Sequence, residues 1–255
     1  MMIELLVCAV VLLPLLPFSL GVNAVLQAVP AWLRALLLVA LPVAGAYVLG
    51  GVAVPVGPLA RVIQVLAAVT ALLYAWRLLA VRELFIWARL QASSAWPLIW
   101  LAWLFGMPDD RLIAVALALS LPAAVLTLLA CALRRRLGGA YLGLRGRLGP
   151  AYPRLTGAVV VALVAALAAP PFPGFFSMMA VLLQMPAVCV FTVLAVWILW
   201  SWAAALLWQH GLFGDPWPRP VGTSDLSVSA GAVWVLLALI AVSLGLIGSW
   251  AWWMR

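Results

Sequence analysis

Few residues of this 255-residue chain have the types and spacing that chemistry requires. The sequence contains six acidic residues and a single histidine, and all 14 of its basic residues are arginines. One histidine cannot form a haem ligand pair or a zinc site. The sequence also contains neither a glycine-rich phosphate loop nor a nucleophile with a paired base. We therefore predict no catalytic residue, no metal site and no cofactor.

Three weaker candidates remain among the ionisable residues. Asp109 and Asp110 are adjacent, and a membrane enzyme with a metal at this turn is the least favoured interpretation. Glu83 follows Arg82 directly; neighbouring helical residues point about 100° apart, which favours anchoring of a helix at the lipid surface over an ion pair. His210 could act as a pH-sensitive group, but a lone histidine in a loop is usually solvated.

The apolar composition indicates the elements that would position these residues. The chain is 69% apolar and 8% charged, with a mean hydropathy of +1.26, whereas about a quarter of the residues of a soluble domain are charged. Its apolar runs are continuous and about 20 residues long, which predicts membrane-spanning helices. We predict an all-α polytopic membrane protein with about eight transmembrane helices, near residues 3–24, 35–56, 60–80, 91–107, 112–133, 155–185, 187–209 and 230–253.

The sixth predicted span, 155–185, is interrupted by a proline-rich sequence near its middle. Proline removes a helical hydrogen bond and clashes with the preceding turn, so we predict a broken helix. Two short helices that double back and one discontinuous helix that crosses once both fit the pattern, and we favour the single crossing. Interrupted helices mark ion or substrate sites in transporters, which makes this break the best candidate site: Pro170, Pro171, Pro173, Gly174, Ser177 and Met178.

The arginines are divided unequally between the loops that alternate along the predicted spans. Eleven fall on one side and three on the other, and the positive-inside rule makes the richer side cytoplasmic. We therefore expect a multi-pass protein of a prokaryotic inner membrane, whose basic charge reports topology and not a nucleic-acid partner. The longest basic loop is a candidate docking site for an acidic peripheral protein or anionic lipid, through Arg134, Arg135, Arg136, Arg145, Arg147 and Arg154.

Several segments of the sequence resemble, in order, motifs of one membrane protein family. The stretch Ala168–Ser177 ("AAPPFPGFFS") is similar to the "LPP-x-x-GFFSK/E" broken helix in the antiporter-like subunits of respiratory complex I and of multi-subunit sodium/proton antiporters. The other similar segments surround this helix, at 82–94, 143–153 and 203–213. The resemblance implies one transmembrane domain, 1–255, with an antiporter-like C-terminal portion over 60–255 and two extra spans in 1–59.

Residues that carry charge in this family are replaced in this chain. Met178 stands where the family has Lys or Glu after "GFFS", and Phe85 replaces a loop lysine. Leu119 and Ala123 stand at the positions of the family's "H-x-x-x-K" pair. No predicted span carries a charge near its middle, which agrees with these replacements. The resemblance implies the fold and the type of assembly, while the residues argue against ion pumping.

We therefore predict a non-pumping accessory subunit, not an enzyme, of a complex I-like, hydrogenase-like or inorganic-carbon-uptake ion-translocating assembly. The resemblance implies a lysine-bearing antiporter-like membrane subunit as partner, together with lipid and a peripheral cytoplasmic subunit. The alternative is an independent transporter or channel for a neutral solute, with Ser177 and the carbonyl groups freed at the break as ligands.

Overall fold

The computed structural model describes residues 2–142, 148–212 and 224–253. These residues form ten helices: α1 (Met2–Leu12), α2 (Phe18–Ala28), α3 (Ala31–Gly50), α4 (Pro58–Leu78), α5 (Leu84–Leu104), α6 (Asp109–Leu137), α7 (Pro153–Ala166), α8 (Pro173–Gln184), α9 (Ala187–Leu212) and α10 (Val228–Trp253). The predicted all-α polytopic class is confirmed. In this part of the chain, four helices are long and apolar enough to span a membrane, namely α3, α4, α6 and Ala187–Gln209 of α9.

Ten helices correspond to eight predicted spans because two of the spans are broken. The prediction of one continuous helix over 3–24 is wrong, since α1 ends at Leu12 and α2 begins at Phe18. Pro14 and Pro17 lie between them, and each lacks the N–H group that would continue the helix. The sixth predicted span is broken as expected, into α7 and α8.

Hydrogen bonds between loops show which helix ends lie together. The N–H of Leu84, at the start of α5, donates to the carbonyl of Ala140 beyond the end of α6, at 2.9 Å. The N–H of Leu148, before α7, donates to the carbonyl of Gly211 in the last turn of α9, at 3.2 Å. We call this shared end the basic end, because most described arginines lie at it or within two helical turns of it: Arg34, Arg77, Arg82, Arg89, Arg134, Arg135, Arg136 and Arg154.

The opposite end of the bundle holds the start of α4, with Arg61, and the start of α6, with Arg111. This division of the described arginines agrees with the predicted grouping. The predicted docking residues Arg145 and Arg147 lie outside the described residues. The backbone of His210 lies in the last turn of α9 and not in a loop, while its side chain is outside the described part of the chain.

The segment formed by α7 and α8 crosses the bundle once. α9 ends at the basic end, and its 26 residues extend about 39 Å at about 1.5 Å per residue, so α9 begins at the opposite end. α8 ends at Gln184, just before α9 starts at Ala187. α7 therefore starts at the basic end and α8 finishes at the opposite end. The two helices contact each other little, as a discontinuous helix requires and a doubled-back pair does not.

α5 is the central helix of the bundle. It packs against α2, α3, α4, α6, α8 and α9, and nearly all its residues are buried, including Trp87, Trp96 and Trp100. A helix enclosed on all sides does not need one apolar stripe, so α5 can carry the buried polar residues Arg89, Gln91, Ser93 and Ser94. These polar residues explain why α5, despite its 21 residues, is not among the four helices selected by apolar character.

A substitution at Gly45 of α3 can test the close packing of α3 against the end of α1. A Cβ atom at Gly45 would lie 2.5 Å from Leu13 Cγ, whereas a Cβ at Gly21 of α2 would meet no atom within 4 Å. We expect Gly45→Ala to destabilise the chain by about 1–3 kcal/mol through overpacking. Gly21→Ala is the matched control and should stabilise it by up to about 1 kcal/mol through helix propensity. Thermal unfolding in detergent measures both, and equal effects would contradict the close contact.

Candidate functional site

The break between α7 and α8 is closed by neutral hydrogen-bond donors from other helices. Gln91 Nε2 of α5 donates to the Ala166 carbonyl at 3.2 Å. Trp197 Nε1 of α9 donates to the Leu167 carbonyl at 2.7 Å. Backbone groups freed within a bilayer must be satisfied by protein or by a water-filled cavity. At this break protein donors satisfy two of them, so these carbonyl groups are not directed at an ion.

The predicted break residues do lie together, in a mostly apolar setting. Pro170 is exposed, Pro171, Pro173 and Ser177 are half-buried, and Gly174 and Met178 are buried. A Cβ atom at Gly174 would lie 3.3 Å from the Cα of Ala168, so glycine permits the close approach of α8 to the end of α7. Ala168 itself adopts a φ of 52°, in the left-handed region in which helices commonly end.

A second break, between α1 and α2, uses the same device. Trp100 Nε1 of α5 donates to the Leu13 carbonyl at 2.9 Å, and the Leu16 N–H donates to Thr70 Oγ1 of α4 at 3.1 Å. Both breaks are thus capped by an indole N–H and a second neutral group. Pro14 and Pro17 are the sequence signal for this break. The surrounding apolar run has the length of one span, which favours the prediction of a continuous helix.

Arg89 is a buried cation within α5. It precedes the predicted span 91–107, but it lies in the second turn of α5 and is 9% exposed. Its Nη1 donates to the Asn23 carbonyl at 3.1 Å and to Gln27 Oε1 at 3.3 Å. Arg34 Nη2 donates to the carbonyls of Gln27 and Val29, at 2.9 and 3.1 Å. Arg34 therefore caps the C-terminal end of α2, where the helix dipole favours positive charge, while Arg89 binds the side of α2 at Asn23 and Gln27.

A chain of polar side chains continues from Arg89 into the bundle. Asn23 Nδ2 donates to Ser93 Oγ at 2.9 Å, and the Ser93 hydroxyl donates to the Arg89 carbonyl at 2.9 Å. Tyr74 OH donates to Ser19 Oγ at 2.9 Å. These bonds join α2, α4 and α5. Arginine is not deprotonated in proteins, so Arg89 can bind, orient or hold a charge here, but it cannot relay a proton by titrating.

Helix α5 starts earlier than predicted because Glu83 caps it. Glu83 Oε2 accepts a hydrogen bond from the Ile86 N–H at 2.7 Å, which satisfies a donor at the helix N-terminus. Burial raises the pKa of the Glu83 carboxyl, although the N–H groups of Ile86 and Phe85 and the charges of Arg34 and Arg89 oppose this rise. The weak candidate Glu83 therefore has a clear structural role at the start of α5.

The residues that we predict to replace charged residues, Phe85, Leu119 and Ala123, lie in apolar or cation–π surroundings. The Phe85 ring lies between two guanidinium groups, with the Cζ atoms of Arg34 and Arg134 at 5.2 and 5.3 Å from its centroid, which are cation–π distances. Leu119 and Ala123 of α6 are buried. Within the described residues, no group of three His, Cys, Asp or Glu side chains could hold a metal ion.

The basic end also carries an ordered contact between α7 and the segment before α10. Asp225 caps α7, accepting hydrogen bonds from the N–H groups of Arg154 at 2.8 Å and Leu155 at 3.2 Å. Burial raises the pKa of Asp225, but these bonds and that from the Leu226 N–H outweigh it, so the pKa is lowered. Arg136 Nε donates to the Ser224 carbonyl at 2.9 Å. Of the predicted docking residues, Arg136 and Arg154 therefore already bind the chain itself.

The fold of this chain is found in several membrane complexes. No protein-family model matches the sequence, and no curated protein matches it. A chain of respiratory complex I from Thermus thermophilus with bound NADH has a TM-score of 0.76 and 22% identity, covering 93% of this chain and 52% of that chain. A chain of the Mrp complex from Dietzia sp. DQ12-45-1b has a TM-score of 0.79 and 15% identity, covering 95% of this chain and 55% of that chain.

A third similar chain belongs to the membrane-bound sulfane sulfur reductase, an archaeal respiratory membrane complex, with a TM-score of 0.78 and 18% identity over 96% of this chain and 52% of that chain. At such identities the likeness shows the fold alone. The chain spans about half the length of each of these three chains. The fold agrees with the resemblance to complex I subunits that the sequence motifs indicated.

Arg89→Met tests whether the buried cation holds α2 in place. The variant leaves the Asn23 carbonyl and Gln27 Oε1 without their donor, and we expect a loss of about 1–3 kcal/mol in the free energy of unfolding. Arg77→Met is the matched control, since Arg77 is exposed in the last turn of α4, and should change stability by less than about 0.5 kcal/mol. Chemical unfolding in detergent measures both, and equal stability of the two variants would contradict this role.

Proposed function

We propose that this chain is a non-pumping structural subunit of an ion-translocating membrane assembly in a prokaryotic inner membrane. The assembly would be complex I-like, hydrogenase-like or of the kind that takes up inorganic carbon. The fold supports this proposal, because chains of the same fold occur in two respiratory complexes and in the Mrp complex.

The observation that carries the proposal is the neutral chemistry of the α7–α8 break. Gln91 and Trp197 cap its carbonyl groups, and Met178 is fully buried at the position where the resembling family has Lys or Glu. A pumping site requires a group that gains and loses a proton or binds an ion during the cycle. The side chains at this break supply no such group, so we assign ion movement to the partner.

The proposed membrane partner is a lysine-bearing antiporter-like subunit. Large aromatic side chains project from α3 and α4, with Trp32, Tyr47 and Trp76 each at least 65% exposed. Exposed aromatic side chains of this kind suit contact with another membrane protein as well as with lipid. At the basic end, Arg134 and Arg135 are exposed and fit the predicted docking of an acidic peripheral subunit.

Co-purification tests this proposal directly. The assembly should be extracted gently from native membranes and analysed as an intact complex by mass spectrometry. We expect the chain to be recovered with a longer antiporter-like subunit that carries the lysines, and with a peripheral subunit. Ser177→Ala should leave the activity of the assembly nearly unchanged. Recovery only as a monomer or homo-oligomer would contradict the proposal, and would favour the alternative of a neutral-solute transporter that uses Ser177.

Met178→Lys tests the neutral character of the break. A lysine here would place a charge among apolar side chains without an acidic partner, at a cost of roughly 2.5–3.5 kcal/mol at a helix centre. We expect lower yield and weaker assembly, while Met178→Leu, which preserves size and apolarity, should behave like the native chain. Assembly yield by blue-native electrophoresis measures both. Normal assembly of the lysine variant would show that this site is hydrated and able to hold charge.

A further inference from the structure

A long apolar groove runs between α6, α7 and α10 and ends at the α7–α8 break. Its volume is about 970 Å³, and its walls include Val125, Gly157, Val161 and Trp234, with Gly174 at one end and Arg154 at the other. We propose that this groove binds the acyl chains of an anionic phospholipid, whose phosphate group lies at Arg154. The inference concerns a binding site and does not depend on the proposed role in an assembly.

The groove exists because small residues stand where α7 and α10 face each other. Gly157 and Ala158 of α7 and Gly231 of α10 line it, and a Cβ atom added at Gly157 would meet no atom within 4 Å. The break contributes as well. Helix α7 ends at Ala166, and beyond it Phe172 and Pro173 line the end of the groove. An apolar groove within a bilayer must be filled by lipid or by protein, because water gains nothing from apolar walls.

The length of the groove suits the acyl chains of one leaflet. From Arg154 to Ala165 the groove follows α7 for about 17 Å at about 1.5 Å per residue, which is close to half of the roughly 30 Å hydrocarbon core. Acyl chains that start from a headgroup at Arg154 would therefore fill the groove to the depth of one leaflet.

The charge at the groove entrance favours an anionic headgroup. Arg154 Nη1 donates to the Leu226 carbonyl, and Arg136 Nε donates to the Ser224 carbonyl, both at 2.9 Å. Two guanidinium groups are therefore held on one short segment beside the entrance. Asp225 is also present, but its carboxylate accepts hydrogen bonds from the backbone N–H groups of Arg154, Leu155 and Leu226. Among the described residues that meet this segment, two guanidinium groups outnumber one carboxylate, as in the basic sites between helices that bind anionic lipid.

Lipid titration of the full-length chain tests the proposal. The purified chain, delipidated in detergent, should be titrated with phosphatidylglycerol or with phosphatidylcholine of the same acyl chains, and retained lipid counted by native mass spectrometry. We expect one phosphatidylglycerol per chain to bind at least fivefold more tightly than phosphatidylcholine. Arg154→Gln should weaken the binding of phosphatidylglycerol about fivefold, which is the effect of one arginine near an anionic headgroup. Arg135→Gln, at an exposed arginine of the same end, should have little effect.

A second pair of variants tests the groove itself. Gly157→Leu places a side chain in the open space and should abolish the retained lipid, while Gly21→Leu, at an equally open helical glycine outside the groove, should retain it. Equal binding of the two lipids by the native chain would overturn the proposal without reliance on any variant. Unchanged lipid retention by folded Gly157→Leu would also overturn the proposal. So would the finding that the native chain retains a bound polypeptide, and not lipid, that Gly157→Leu loses.

Discussion

The structure depends on one constraint, which is that backbone groups freed by proline must find partners inside the protein. Two spans are broken, and at both breaks an indole N–H donates to a carbonyl group freed by the break. Trp100 donates to Leu13, and Trp197 donates to Leu167. α5 supplies a donor to each break, through Trp100 and Gln91. This requirement explains why α5 lies at the centre and why it carries polar residues that a lipid-facing helix would not tolerate.

The same principle governs where the chain places positive charge. Arg34 donates to the carbonyl groups of Gln27 and Val29 at the end of α2, and Arg89 donates to the Asn23 carbonyl within that helix. Both arginines lie at the basic end, where the dipole of α2 and the arginine-rich loops coincide. Buried charge is often a sign of ion movement in membrane proteins. Here the buried cation is permanently charged and hydrogen-bonded to neutral groups of α2, which gives it the role of holding α2 against α5.

Patterns local to the sequence were sufficient to predict most of the bundle. Apolar length predicts the spans, the proline-rich run at 170–174 predicts the α7–α8 break, and the arginines predict how the helix ends are grouped. Two features were missed for physical reasons. Pro14 and Pro17 lie in an apolar run of normal span length, so length concealed the α1–α2 break. Arg89 lies in a polar stretch that resembles a loop, and only contacts with α2, distant in sequence, make its helical position favourable.

The donors that cap the breaks could not be predicted either, because an indole or amide side chain has no sequence pattern that identifies its partner. Yet these donors determine how the breaks should be interpreted. A broken helix with uncapped carbonyl groups or a buried lysine suits ion binding. A broken helix whose carbonyl groups are capped by tryptophan and glutamine suits helix packing instead. In this chain the α7–α8 break ends a helix, closes an apolar groove and brings Gly174 against Ala168. Fold alone does not determine function, so the chemistry of the groups at a break, and not the break itself, decides what it can bind.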